Sequence, residues 1–188
     1  MATNEMLSLD DEHLVVLTLE GNSQAFGEII RRYEGMVART VKGMVGNIQQ
    51  AEDVGQETFI RLYKALAEFR GEARLGTYIQ RIAINLSLNE IKKKGRARSL
   101  FFQSDADDEP TRFDPPSGDY ESSAEAKEVV DIALMRLNPE FRAVVTLRML
   151  QGYSTVETAE ILNLPIGTVL SRLSRARDHL KGILEKLI

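Results

Sequence analysis

The chain has 188 residues, of which 43% are apolar, and it carries a net charge of −4 and no cysteine. That length suits one large domain or two small ones. The lack of cysteine excludes disulfides, thiolate metal sites and cysteine nucleophiles. With no apolar run long enough to span a bilayer and no signal-peptide pattern at the acidic start, a cytoplasmic protein without membrane insertion is expected.

Asp10 and Asp11 predict a capped helix to about Leu19, stopped at Gly21-Asn22. Ser23 is the expected cap of a second helix to about Val45, broken at Gly46-Asn47. A third is predicted from about Gln50 to Phe69 and a fourth from about Gly76 to Lys94, ended by Gly95. Residues 99–121 then break the periodicity with Pro110, Pro115, Pro116, Gly118 and a string of acids, and read as a flexible acidic linker. Its aromatics, Phe101, Phe102 and Phe113, suggest that it touches something. Beyond it, Ser123 to Leu137 reads as a helix, Pro139 starts the next, and two more close the chain. No strand-like alternation occurs. The expected fold is all-α: two small helical domains, residues 10–98 and 122–188, joined by the linker 99–121.

The charge divides along the same lines. Residues 99–121 carry −6, whereas residues 10–98 carry +2 and residues 122–188 carry +1. Weakly basic modules hold duplex DNA poorly alone, because phosphate contacts supply most non-specific affinity. This points to a protein that grips DNA together with a partner.

Tyr153 to Arg177 (YSTVETAEILNLPIGTVLSRLSRAR) has the pattern of a DNA-reading helix-turn-helix. Ser154 and Glu157 have capping-box spacing. Ala159 is small where two helices cross closely. Asn163 tolerates a left-handed turn, and Pro165 suits the first turn of the next helix. On that helix Val169, Leu173, Ala176 and Leu180 point to the core. The opposite face carries Thr168, Ser171, Arg175 and Asp178, with Arg172 at its edge; hydroxyls and arginines of this kind reach base edges in the major groove. Arg148, Arg177 and Lys181 are placed to meet phosphates.

Two upstream faces also carry information. On the helix from Gln50, Val54, Thr58, Leu62, Ala65, Leu66 and Phe69 form an apolar side. Glu52, Gln56, Phe59 and Tyr63 form another stripe with Asp53 and Glu57 beside it, and carboxylates next to outward aromatics suggest a protein interface. On the helix from Gly76, Ile79, Ile82, Ala83 and Leu86 form one apolar side and Ile84, Leu88 and Ile91 a second. Between them runs a stripe of Tyr78, Arg81, Asn85, Asn89, Lys92 and Arg96. Stacking, amide hydrogen bonds and phosphate contacts are what single-stranded DNA needs. Asn85 and Asn89 sit one turn apart, so both can face one extruded base.

Enzyme chemistry is not expected. His13 and His179 lie on different helices with no cysteine to join them, Glu-x-x-His pairs are missing, and no phosphate-binding glycine loop occurs. No metal, cofactor or small-molecule substrate is therefore assigned.

Four motifs in order resemble the extracytoplasmic-function (ECF, group IV) sigma factors of bacterial RNA polymerase: AFGEIIRRYEGMV (Ala25–Val37), AEDVGQETF (Ala51–Phe59), TYIQRIAINLSLNEIKKK (Thr77–Lys94), and LNPEFRAVVTLR followed by GYSTVETAEILNLPIGTVLSRLSRAR. The resemblance implies sigma domain 2 and sigma domain 4 on a linker, and a subunit that binds core polymerase through its clamp and flap and directs it to promoters. It implies that Asp53, Gln56 and Glu57, with Phe59 in the same stripe, dock on the clamp coiled coil. It further implies that Tyr78, Arg81, Asn85, Asn89, Lys92 and Arg96 hold the melted minus-10 element. Arg148, Thr168, Ser171, Arg172, Arg175 and Arg177 would then read the minus-35 duplex. An inhibitory anti-sigma partner and a stress-response role are implied in the same way, and the acidic linker would follow a nucleic-acid path inside polymerase. Tyr78 replaces the usual Trp, and Leu170 and Ser174 stand where relatives are often basic, aromatic or His. The alternative is a stand-alone helix-turn-helix regulator. That class usually dimerises on palindromes, no heptad dimerisation helix is evident, and the amide-aromatic stripe would have no role.

Overall fold

The computed structural model describes residues 6–101 and 123–187, with side chains described for 6–96 and 128–187. Every regular element among the described residues is helical. Helix α1 (Asp11–Leu19) opens on Asp10, whose carboxylate accepts the His13 amide N–H. Helix α2 (Ser23–Val45) is capped by Asn22 rather than Ser23; the Asn22 side chain accepts from the Gln24 and Ala25 amides. It stops at Gly46, whose φ of 73° lies in the left-handed region that favours glycine. Helix α3 (Ile48–Ala65) is capped by Asn47 and so starts before Gln50; its last predicted turn tightens into a 3-10 turn at Leu66–Glu68.

Helix α4 (Leu75–Phe101) corrects the reading of Gly95 as a stop. Gly95 is exposed and nothing crowds it. A lone glycine costs a helix only about 1 kcal/mol, and Lys92, Lys93, Lys94 and Arg96 around it are good helix formers. The helix therefore runs on into the first residues of the expected linker. The rest of that segment, with Phe102 and Phe113, lies outside the described residues.

Helices α2, α3 and α4 pack on one another, with α1 laid across α2. Leu14, Ile29, Val41, Leu62 and Ile79 are completely buried between them, each contributing about 1.5–3 kcal/mol by leaving water. A polar clamp ties the start of the chain to this unit. Glu28, 6% exposed, accepts from Arg31 Nε at 2.7 Å and from Arg32 Nε at 2.8 Å. These bonds, Arg31's foremost, hold the Glu28 carboxyl down at about 2. Arg32 also donates to the backbone carbonyls of Met6, Leu7 and Leu9.

The second unit comprises α5 (Ser123–Arg136), α6 (Pro139–Val145), a π-helical segment (Thr146–Leu150), α7 (Thr155–Leu162) and α8 (Ile166–Leu184). Asn138 caps α6 and Pro139 fills its first position. The π segment carries no signal in the residue pattern. Val144, Ala159 and Val169 form one buried cluster and Leu134, Leu137, Val145 and Ala176 another. Of the four residues expected to face the core from α8, Val169 and Ala176 are completely buried and Leu173 and Leu180 half-buried.

The two units are packed together. The first apolar side of α4 (Ile79, Ala83, Leu86) joins the core of its own unit. The second (Ile84, Leu88, Ile91) joins Met44 with Ala143, Leu147 and Ile161 of the second unit. Arg142 bridges the junction. Its buried guanidinium donates to Met44 O at 2.5 Å, Met135 O at 2.5 Å and Leu137 O at 3.0 Å. These carbonyls lie at the C-terminal ends of α2 and α5, where helix dipoles favour a cation.

Candidate nucleic-acid interface

The N-terminus of α4 is set by a close contact. A Cβ at Gly76 would lie 3.0 Å from the Tyr33 ring, so a side chain there would displace the tyrosine. The Tyr33 hydroxyl donates a short hydrogen bond to Asp11. Burial, then this carboxylate, raises the phenol's pKa. From this seat the stripe of α4 divides into two parts. Tyr78 is half-buried against the core and tilts onto Phe69, with ring centroids 5.2 Å apart. Arg81 is half-buried and donates to Glu160 O at 2.9 Å. Asn85, Asn89, Lys92 and Arg96 are all exposed. Two amides one turn apart, followed by two cations along the same helix, form a continuous polar track.

On α3, Asp53 and Gln56 are exposed, whereas Glu57 accepts from Arg61 Nε at 2.8 Å. Phe59 is half-buried against the core. The outward apolar groups of this face are Ile60 and Tyr63, 48% and 55% exposed, with Phe26 meeting the Tyr63 ring edge-on at 4.9 Å. Ile60 was not legible as part of this face, because the residue pattern does not separate an outward isoleucine from a core one.

The helix-turn-helix forms as the spacing predicts. Ser154 and Glu157 make both bonds of the capping box, and the Ser154 bonds lower the Glu157 pKa. Asn163 has φ 52° and ψ 51°, a left-handed residue at the turn. Pro165 caps α8 rather than lying inside it; its carbonyl accepts from the Thr168 and Val169 amides. Along α8, Ser171, Arg175 and Arg177 are exposed and Thr168 is half-buried. The Ser171 hydroxyl donates to Thr168 O at 3.0 Å. Arg172 is 25% exposed and pairs with Glu140 at 2.6 Å. Arg148 is half-buried and donates to Tyr153 O, spanning from the π segment to the start of the motif. Thus Arg172 and Arg148 are engaged within the second unit, while Arg175 and Arg177 face solvent.

His13 bonds Asp10 at 2.7 Å, and His179 lies edge-on to Phe141 with centroids 5.5 Å apart. No group of three or more His, Asp or Glu among the described residues could hold a metal ion. No described helix is long and apolar enough to cross a membrane.

The two units coincide with two family models: sigma-70 region 2 matches residues 29–97 and sigma-70 region 4 matches residues 128–180. The chain is 32% identical to an RNA polymerase sigma-H factor of Pseudomonas aeruginosa, over 95% of each chain. It is 33% identical to an ECF RNA polymerase sigma-E factor of Haemophilus influenzae, over 96% of this chain and 98% of the relative. A solved structure of the sigma factor RpoE from Bartonella quintana, in complex with the anti-sigma factor NepR, shares the fold. It has a TM-score of 0.64 at 22% identity and covers 85% of this chain and 96% of that one. With both regions in order and such relatives matched from end to end, the chain belongs to the extracytoplasmic-function sigma factors, which direct bacterial RNA polymerase to promoters.

Proposed function

We propose that the first unit docks on core polymerase through α3 and traps an unpaired minus-10 base on α4, while α8 reads the minus-35 duplex. The observation that carries this reading is the exposed pair Asn85 and Asn89, with Lys92 and Arg96 beyond it on the same helix. Amides offer donors and acceptors to a base edge, and the cations meet the flanking phosphates. Arg175 is the foremost candidate to read a minus-35 base; its loss should cost about 1–3 kcal/mol of discrimination. Arg177 meets a phosphate and Thr168 and Ser171 add hydroxyls, while Arg148 and Arg172 act by positioning the motif. Asp53, Gln56 and Glu57, with Ile60 and Tyr63 beside them, form the polymerase-docking face. Phe59 supports it from beneath.

The chain contributes binding energy and no catalytic group of its own, and it works in the cytoplasm. A stand-alone regulator is not favoured, because it leaves the amide track without a role. The relative from Bartonella quintana is held by an anti-sigma factor, and we infer a comparable inhibitory partner here. The deciding experiment combines Asn85→Ala with Asn89→Ala. Promoter opening by the reconstituted holoenzyme, read by permanganate reactivity of unpaired thymines, should be abolished while binding to core polymerase is retained. Opening at the wild-type level would overturn the assignment.

A further inference from the structure

We propose that Leu170, with Ile166 one turn before it, reads the 5-methyl group of a thymine in the minus-35 element. The inference rests on the assignment of α8 to the minus-35 duplex above. It starts from an apolar surface that the fold leaves to solvent. Ile166 is 48% exposed and Leu170 is 53% exposed. Val169, Leu173, Leu180, Ile183 and Leu184 of the same helix are buried or half-buried. Lying one helical turn apart, the two exposed side chains are neighbours on the helix surface. Over Ile166 to Arg177 the charged residues are Arg172, Arg175 and Arg177, with no acid among them, so the surface around this apolar pair suits a polyanion.

The helix period gives the direction of these side chains. Val169 and Ala176 are completely buried and fix the inward side of α8. At about 100° per residue, Leu170 and Arg175 stand roughly 70° to either side of the outward line. Gly167, Ser171 and Ser174 lie on the arc between them, all exposed. In the major groove α8 therefore leads with small residues and carries a leucine on one flank and an arginine on the other. No atom lies within 4 Å of where a Cβ of Gly167 would stand, so the fold itself does not require a glycine there. Its missing side chain lets the first turn of α8 sit close to the bases. Residues near the N-terminus of a reading helix are the ones that reach base edges, and Ile166 and Leu170 are at that end. Thymine alone among the four bases presents a methyl group in the major groove. Leucine makes no hydrogen bond, so it gains by covering that methyl and leaves the amine of a cytosine unpaired. Leu170 thus selects thymine at one step, while Arg175 supplies hydrogen bonds on the opposite flank.

The test uses uracil, which keeps the hydrogen-bonding edge of thymine and lacks only the methyl. The wild-type holoenzyme, reconstituted from the full chain and core polymerase, first selects its minus-35 element from a randomised duplex library. Each thymine of that element, on either strand, is then replaced singly by deoxyuridine, and holoenzyme affinity is measured by competition at fixed salt. One replacement should weaken binding roughly fourfold, the fold-change expected for one buried methyl-sized group. With Leu170→Ala the same replacement should have no effect, whereas Leu170→Met should keep most of it. Leu170 is exposed in the free chain, so both variants should fold as the wild type does. A selected element without thymine, uracil tolerated at every position, or an equal loss in Leu170→Ala would each overturn the proposal. The underlying assignment fails in a different way: the holoenzyme would then select no minus-35 sequence at all, and exchanging the whole element would leave binding unchanged.

Discussion

Replacing Arg142 by methionine keeps most of the side-chain volume and removes a guanidinium that is 6% exposed. Three backbone carbonyls then lose their donor: Met44, Met135 and Leu137. Hydrogen bonds to a charged group contribute about 1.5–3 kcal/mol each. The lower end applies here, because burial disfavours the charged form and pulls the Arg142 pKa down to about 10. Three bonds at that end amount to roughly 4.5 kcal/mol, a large share of the 5 to 15 or so kcal/mol that holds a domain folded. Urea unfolding followed by far-ultraviolet circular dichroism should show a midpoint lowered accordingly. Arg142→Lys should recover less than half, since one ammonium cannot fork across the ends of two helices. A methionine variant within about 0.5 kcal/mol of wild type, the range of ordinary surface changes, would refute the idea that this cation ties α2 and α5 together.

Glu28 predicts an acid-side effect. Its folded pKa, held at about 2 against an ordinary 4.5, means that its contribution is complete above pH 4.5 and lost as pH falls through about 2. Glu28→Gln should therefore flatten the decline of the urea midpoint across that window, and superimposable acid limbs would contradict the pairing with Arg31 and Arg32. At the turn of the reading motif, Asn163→Ala should lower stability by about 1 kcal/mol, because alanine resists the left-handed backbone. Asn163→Gly should stay near wild type there. Equal melting temperatures for the two variants would show that the turn relaxes instead.

What the residues disclose depends on how far apart the interacting partners lie. Ser154, Glu157 and Asn163 were legible because cap and turn involve neighbours in the chain. The double-sided apolar pattern of α4 was equally legible as a pattern. It did not reveal that Ile84 meets Ile161, since periodicity marks a face as buried and is silent about what covers it. The ring of hydrogen bonds that joins Thr40, Gln80 and Gln151 lies beyond any local rule, being drawn from three separate stretches. Gly95 misled because a single glycine weakens a helix without obliging it to stop. Arg148 looked like a cation available for phosphate and Arg172 like one at the edge of the base-reading face; the carbonyl of Tyr153 and the carboxylate of Glu140 engage them, and only tertiary neighbours decide that.

The π-helical turn at Thr146–Leu150 has a consequence for how this chain tolerates change. Such a turn holds one residue more than its α-helical equivalent, and each residue swings a helix by about 100°. Gln151, Tyr153 and all that follows are therefore aimed by a count of residues more than by their identity. Swapping one side chain in this stretch leaves the aim intact, whereas deleting one swivels the whole promoter-reading head away from its seat.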